Sequence, residues 1–437
     1  EGGQQAAGAG IDLAARGRRR EVQHRIGDAR QAAQAAAVVE IGDDRHRAGG
    51  AQRGRLLRAP HQREDAKAPQ QPRQGTTGDI PAADDQDSFH IFIITRTMAH
   101  QISLQPGDHH FVAESDQTVL DAALAAGLLL PHSCRDGACG ACKGRVLAGE
   151  VDYGRHADSA LSAAEREAGY ALFCCAKPKS DLVLEARNVS RADDIPVKKL
   201  PCRVQTLERL APDVMRIELK LPASEVFRFH AGQYIDILLA DGQRRAFSIA
   251  NAPHTAGQLE LHVRRVDGGR FTGHVFETMK TRDILRFEGP HGSFFLREDS
   301  ARPIVMVAGG TGFAPIKSIV EHMIATGQRR QVTLYWGSRD RAGLYLDALA
   351  RSWETALPGL RYIPVLSESG PADAWEGRRG LVHQAVLDDF ADLSGHEVYA
   401  CGAPAMIDAA RAGFTAERGL PEEAFFADAF TFALPPP

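Results

Sequence analysis

Cys134-Arg-Asp-Gly-Ala-Cys139-Gly-Ala-Cys142 sets three thiols in a C-x4-C-x2-C run, and a fourth stands downstream in Leu172-Phe173-Cys174-Cys175-Ala176-Lys177-Pro178. That spacing is the one by which four thiolates hold the two irons of a [2Fe–2S] cluster, a centre that moves one electron at a time. Gly137 and Gly140 suit a loop wrapped around such a group: backbone N–H groups must turn toward sulfur, and glycine takes the unusual φ angles cheaply. Zinc would ask for two short cysteine pairs, and the chain has no second C-x2-C. Cys134, Cys139 and Cys142 are therefore the expected metal ligands, with Cys174 and Cys175 adjacent rivals for the fourth place.

Outward from this loop, residues 98–191 read as a small α+β unit. Ile102, Leu104, Phe111 and Val112 around Pro106-Gly107-Asp108 predict a hairpin. Ser115 to Thr118 lead into an amphipathic helix through Val119, Leu120, Ala123 and Leu124, which Gly127 ends. Strand and turn follow over Lys143 to Val151, a short polar helix starts near Ser162, and Leu182-Val-Leu-Glu185 returns as strand. The segment resembles the plant-type [2Fe–2S] ferredoxin domain, whose L-x-C-x-A-x-P tail matches Leu172 to Pro178. The resemblance implies a β-grasp fold with Cys174 as fourth ligand, leaving Cys175 as a small buried hydrophobe. Acidic residues outnumber basic ones here. Such a face can steer a basic partner, and an ordinary solvated surface is the competing reading.

Residues 197–299 carry alternating runs, Met215-Arg-Ile217-Glu-Leu219-Lys-Leu221, Tyr234-Ile-Asp-Ile237 and Leu259-Glu-Leu261-His-Val263, separated by Gly, Pro and Asp turns. They predict an antiparallel β-barrel or sandwich without helices. From 302 to 437 the rhythm changes. Ile304-Val-Met-Val307 runs into glycines and then a helix pattern, and Val332-Thr-Leu-Tyr335 and Glu397-Val398-Tyr399 repeat the move, as in an α/β doubly wound parallel sheet.

Arg245-Ala-Phe247-Ser248, with Gly269-Arg-Phe271-Thr272 downstream, resembles the flavin motifs of the ferredoxin–NADP reductase superfamily. That resemblance implies bound FAD: Arg245 on the pyrophosphate with its planar fork, Phe247 along the ribityl chain or ring, Ser248 beside flavin N5, and the Gly269–Thr272 turn on the second phosphate. His262 and Val263, with Phe271, belong to the same expected cofactor surface. Phe247 replaces the commoner tyrosine, so its ring must act by stacking. Gly309-Gly310-Thr311-Gly312-Phe313-Ala-Pro315 resembles the family's NAD(P)H loop, where glycines admit a pyrophosphate and a helix N-terminus favours its charge. Cys401-Gly402-Ala-Pro404-Ala-Met406 resembles its C-G-x-P-x-M motif, with the cysteine near nicotinamide C4. Asp428 and Phe430 match the C-terminal carboxylate and flavin-shielding aromatic, although Phe430 fits a core role equally. Arg339, with Ser338, is placed for a 2′-phosphate, and Asp340 opposes it. Related cluster-bearing reductases imply NADH; NADPH stays open.

The chain has 437 residues, a net charge of −4 and 43% hydrophobic residues. Nothing points to nucleic acid, no apolar stretch approaches a membrane span, and seven cysteines make no disulfide framework, which fits a cytoplasmic setting. Residues 1–97 differ: no Met, Cys, Tyr or Trp, and Lys67 as the only lysine. They read as a disordered or targeting extension, or as translated sequence upstream of a start at Met98, the favoured reading. The resemblance of 98–437 implies NADH → FAD → [2Fe–2S] electron flow to a partner protein. That partner is a dehydratase, as for the CDP-6-deoxy-glucoseen reductases, or an oxygenase component acting on aromatic rings or alkanes. Ser248, Cys401 and Asp428 are the expected catalytic residues. A free-flavin reductase would have no use for the cluster domain, and a cluster-based redox sensor would not need those three residues intact.

Overall fold

The computed structural model describes residues 98–191, 195–255 and 257–431. The extension expected over 1–97 lies outside them.

The first region is a mixed five-stranded sheet in the order His109–Glu114, Ala99–Gln105, Leu182–Glu185, Lys143–Ala148, Tyr170–Leu172. Its hairpin pairs Ile102 with Phe111, and Ala99–Gln105 runs parallel to Leu182–Glu185. Alternation turns Ile102, Leu104, Phe111 and Ala113 inward against the helix Val119–Ala125. Thr118 caps that helix by accepting from Asp121 N–H at 3.1 Å. The short polar helix Ala163–Glu167 carries a reciprocal Ser162–Glu165 capping box.

The second region is a six-stranded antiparallel sheet ordered Arg244–Ser248, Tyr234–Leu238, Ile284–His291, Lys198–Ala211, Val214–Lys220, Gln258–Arg264. An isolated bridge between Ile249 and Leu261 joins its two ends, so the sheet curls back on itself around Ile217, Leu219, Ile235, Ile237, Leu261 and Phe287. The all-β expectation needs one correction. Gly269-Arg-Phe271-Thr272 does not make a turn between strands but opens an eight-residue helix, Arg270–Glu277. Phe271 and Val275, four apart, bury one face of it in the sheet core, and this tertiary contact outweighs its glycine.

The third region is an all-parallel sheet ordered Arg378–Arg379, Leu360–Leu366, Val332–Ser338, Ile304–Gly309, Glu397–Gly402, Phe425–Ala429. Ile304, Met306 and Ala308 face the helices Phe313–Thr326 and Asp347–Ala356. Val305 and Val307 face Val382–Asp389 and Pro404–Arg418. Burial on both faces explains the uninterrupted apolar run, at roughly 1.5–3 kcal/mol for each large side chain removed from water. The chain leaves the central strand Ile304–Gly309 toward one side first and fills the other side later. The crevice beyond the carboxyl ends of Ile304–Gly309 and Glu397–Gly402 is thus a topological switch point.

Candidate active site

In the first region the cysteine thiols crowd together, Cys134 beside Cys139 and Cys174 beside both Cys142 and Cys175. The Cys134 thiol bonds to Cys139, which holds the Cys139 pKa below its ordinary value. Cys174 bonds to Cys142, and its own N–H points at Cys142 Sγ from 3.5 Å. Ala141 N–H likewise points at Cys139 Sγ from 3.5 Å. Cys175 Sγ touches Cys174 Sγ at 3.5 Å. Gly137 takes φ +81°, and a Cβ there would meet Arg155 O at 2.7 Å and Cys175 Sγ at 2.8 Å. Among the described residues no three His, Cys, Asp or Glu side chains converge as a single-ion site requires. Backbone N–H groups aimed at the Cys139 and Cys142 sulfurs fit the thiolates of a [2Fe–2S] cluster.

The glycine loop after Ile304–Gly309 is equally crowded. A Cβ on Gly312 would sit 2.1 Å from Cys401 O, and one on Gly309 would sit 2.7 Å from Met406 Sδ. Trp336 Nε1 donates to Gly310 O at 3.0 Å and stacks on Phe313 with 3.8 Å between centroids. Cys401 lies opposite Asp428 in the parallel register, and Phe430 N–H donates to Gly402 O at 2.8 Å. Thr311 sits in the single 3-10 turn between strand and helix, and Pro404 opens the helix Pro404–Arg418. Gly310 to Gly312, Cys401, Gly402, Met406, Asp428 and Phe430 therefore share one crevice. Burial pushes the Cys401 thiol well up, so it stays neutral, and pushes Asp428 up to about 6 against the Ser133 hydroxyl that lowers it.

The sheet of the second region brings Phe247 and Phe271 together, ring centroids 5.3 Å apart, while Ser248 is buried at the end of its strand beside Tyr234. Thr272 turns its hydroxyl to Val266 O and Gly269 O, both at 3.2 Å. A pocket of about 320 Å³ opens at Gly268, Gly269 and Arg270 over the helix N-terminus. His262 is buried in a network: one ring nitrogen lies 2.8 Å from Glu260 and the other 3.1 Å from the Tyr345 hydroxyl. Glu260 also takes a 3.2 Å contact from buried Lys317. Val263 belongs to the core of the sheet. Arg245 bonds locally to Arg244 O and Gln243, and Arg339 stands exposed after its strand; neither joins the crevice through a side-chain contact that ties it there.

Sequence reading missed Arg264. Its Nη1 pairs with Asp213 at 3.1 Å, but buried Nη2 has no partner and lies 3.1 Å from where a Gly310 Cβ would stand. An unsatisfied guanidinium nitrogen against a glycine loop fits a pyrophosphate. Its neighbours His262 and Val263 drew attention through the same run, and only the spatial arrangement separates the three.

The cluster loop is bonded to both other regions. His132 N–H donates to Ser293 Oγ at 2.9 Å, and Gly292 N–H donates to His132 Nε2 at 3.3 Å. The ring proton therefore sits on Nδ1, toward Leu130 O at 2.8 Å, and burial keeps the ring neutral with its pKa pulled down to about 4. Arg135 donates to His291 Nδ1 at 3.2 Å. The Tyr234 hydroxyl donates to Ser133 O, and the Ser133 hydroxyl donates to Asp428 Oδ1.

Three family models match in the same order. They are a 2Fe-2S iron-sulfur cluster binding domain over residues 102–179, an oxidoreductase FAD-binding domain over 201–296, and an oxidoreductase NAD-binding domain over 306–412. The CDP-6-deoxy-L-threo-D-glycero-4-hexulose-3-dehydrase reductase of Yersinia pestis is 43% identical over 76% of this chain and 99% of its own. Reductase component 2 of terephthalate 1,2-dioxygenase from Comamonas is 39% identical over 76% and 98%. The crystal structure of the Amycolatopsis cytochrome P450 reductase GcoB, 35% identical, superposes with a TM-score of 0.63 over 77% of this chain and all of that one. Among the described residues no helix is long and apolar enough to cross a membrane. The chain belongs to the family of one-chain iron–sulfur flavoprotein reductases, oxidoreductases that pass electrons from NAD(P)H through FAD and a [2Fe–2S] cluster to a partner enzyme.

Proposed function

We propose that the protein feeds electrons from NADH to a dehydratase acting on a CDP-linked deoxyhexulose, with 98–191 a β-grasp ferredoxin domain, 197–299 an FAD barrel and 302–437 a doubly wound nicotinamide domain. When bound, FAD takes electrons from the nicotinamide as a pair and the cluster takes them singly. The chain's own residues orient these groups. Cys134, Cys139, Cys142 and Cys174 hold the irons. Arg245, Phe247, His262, Val263, Gly269, Phe271 and Thr272 form the FAD surface. Gly310, Thr311, Gly312, Arg339, Gly402, Pro404 and Met406 form the nicotinamide surface, which Phe430 shields. Ser248, Cys401 and Asp428 face the hydride-transfer position and exclude water from it. The observation that carries the electron path is the crevice at the switch point, where Cys401, Asp428 and the Gly310–Gly312 turn meet while Ser133 bonds Asp428 from the cluster loop; the 43% identity to the Yersinia pestis dehydrase reductase supports the dehydratase as acceptor.

An oxygenase component is the second reading of the acceptor. The terephthalate 1,2-dioxygenase reductase component 2 and the phenol hydroxylase P5 protein of Acinetobacter pittii are each 39% identical to this chain, against 43% for the dehydrase reductase. Anaerobic NADH titration followed by visible absorbance and EPR tests the common part. Flavin bleaching with a reduced [2Fe–2S] EPR signal is expected. Bleaching without that signal sinks the cluster path. Adding purified dehydratase or oxygenase to the reduced protein and following cluster reoxidation separates the two acceptors.

A further inference from the structure

Ser133 is the residue before the cluster ligand Cys134, and it is held from both other regions at once. Its carbonyl accepts from the Tyr234 hydroxyl, and its own hydroxyl donates to Asp428. Tyr234 and Asp428 are both less than 5% exposed, so neither has water to turn to. A buried phenol O–H takes a partner, and here the partner is the backbone of the cluster loop. Tyr234 is also tied to the flavin strand, where it lies opposite Ser248 in the register, and Asp428 lies opposite Cys401. Ser133 thus sits between the two residues whose strands carry the expected hydride site.

We infer that Tyr234 is a positioning residue for electron transfer from flavin to cluster: with Asp428 it pins Ser133, and so fixes Cys134 against the flavin strand. Resting on the NADH–FAD–cluster reading, the inference adds a residue that no motif in the sequence singles out. NADH supplies two electrons to FAD; they leave one at a time for the cluster, which the partner oxidises again. Tunnelling rates fall steeply with distance, so a hydroxyl that holds the loop in place acts on this step and not on hydride transfer. The neighbouring contacts agree with a fixed seam. His132 and Ser293 exchange two backbone-linked bonds, at 2.9 and 3.3 Å, and Arg135 reaches His291.

The test is Tyr234→Phe, which removes the hydroxyl and keeps the ring. Stopped-flow mixing of the loaded protein with NADH separates flavin bleaching from cluster reduction, and amide exchange follows His132 and Ser293. The expected result is an unchanged flavin phase, a slowed cluster phase, and exchange at both amides faster by about tenfold, the opening equilibrium that one lost buried bond shifts. An unchanged cluster phase overturns the inference, as does an equal slowing of both phases, which would move Tyr234 into the hydride site. Should the variant fail to retain FAD, Ser293→Ala removes the hydroxyl oxygen that accepts from His132 N–H at 2.9 Å, loosens the same loop without touching the hydride site, and must give the same selective slowing. Parent protein whose flavin NADH does not bleach refutes the underlying reading instead, so the two failures are distinct.

Discussion

The nine residues from Cys134 to Cys142 supply three of the four thiols proposed to hold the cluster, whereas the proposed nicotinamide crevice is gathered from Gly309–Gly312, Cys401–Met406 and Asp428–Phe430, the ends of three parallel strands. In the loop, chemistry depends on spacing along the chain, because thiols a few residues apart can reach neighbouring irons without help from the rest of the fold. In the crevice it depends on topology. Only the reversal of strand order beside Ile304–Gly309 brings Gly312 under Cys401. A local site tolerates change elsewhere and fails by its own ligands. A gathered site fails wherever a strand end shifts.

Cys139→Ser cuts most deeply into that contrast. A serine hydroxyl cannot replace the thiolate that pairs with Cys134, so the cluster and its EPR signal should be lost, and cytochrome c reduction with them. NADH–ferricyanide activity should persist, because ferricyanide accepts directly from flavin. Loss of both activities would mean that the cluster loop also builds the hydride site and is not self-contained.

Gly312→Ala makes the reverse cut. Its Cβ would stand 2.1 Å from the Cys401 carbonyl, where backbone rather than a flexible side chain must give way. A shift of about an ångström at a positioning loop costs roughly 10²-fold in kcat/KM, so NADH–ferricyanide turnover should fall by that order. The visible spectrum of the cluster should not change. A parent-like kcat/KM would mean that the loop accommodates the methyl group and that the crevice is less tightly gathered than its contacts imply.

These two regions were legible in the sequence to different depths. The cysteine run named its chemistry outright, and the glycine and Cys401 motifs were recognisable through their order along the chain. The Arg270–Glu277 helix was hidden because a glycine pair and a lone Phe271 give too short a period to set against neighbouring strands. The seam was hidden for a stronger reason. Its partners lie 101, 161 and 295 residues apart, for Tyr234 with Ser133, Ser293 with His132, and Asp428 with Ser133. No periodicity or spacing connects residues at such separations, and only burial shows that these hydroxyls have nowhere else to bond. Arg264 was missed for a related reason, since a charged residue at a strand end reads as surface until its unpartnered nitrogen is seen against Gly310.

The last expected effect is read in stability and not in turnover, and lies where the six-stranded antiparallel region meets the cysteine loop, in Asp236 and His291. Asp236 is buried on the strand Tyr234–Leu238, 3.8 Å from Arg244 and from His291, which itself accepts from Arg135 of the cluster loop. Burial raises Asp236 to about 6, with Arg244 and Arg135 pulling down and Glu288 pushing up. The folded state therefore binds this proton more tightly than the unfolded chain, whose aspartate titrates near 4. The contribution is fully present below about 4 and is lost as pH rises to about 6, a cost on the order of 3 kcal/mol across that window. His291 works the other way. Burial lowers it to about 3, so its contribution is present above 6.5 and is lost as pH falls toward 3. In the parent the two slopes oppose each other between pH 4 and 6. Asp236→Asn removes the falling one, so urea midpoints measured across that window should climb with pH more steeply than in the parent. Matching slopes would show that the Asp236 proton is held equally in both states, and the seam would then rest on its hydroxyl contacts without this buried charge.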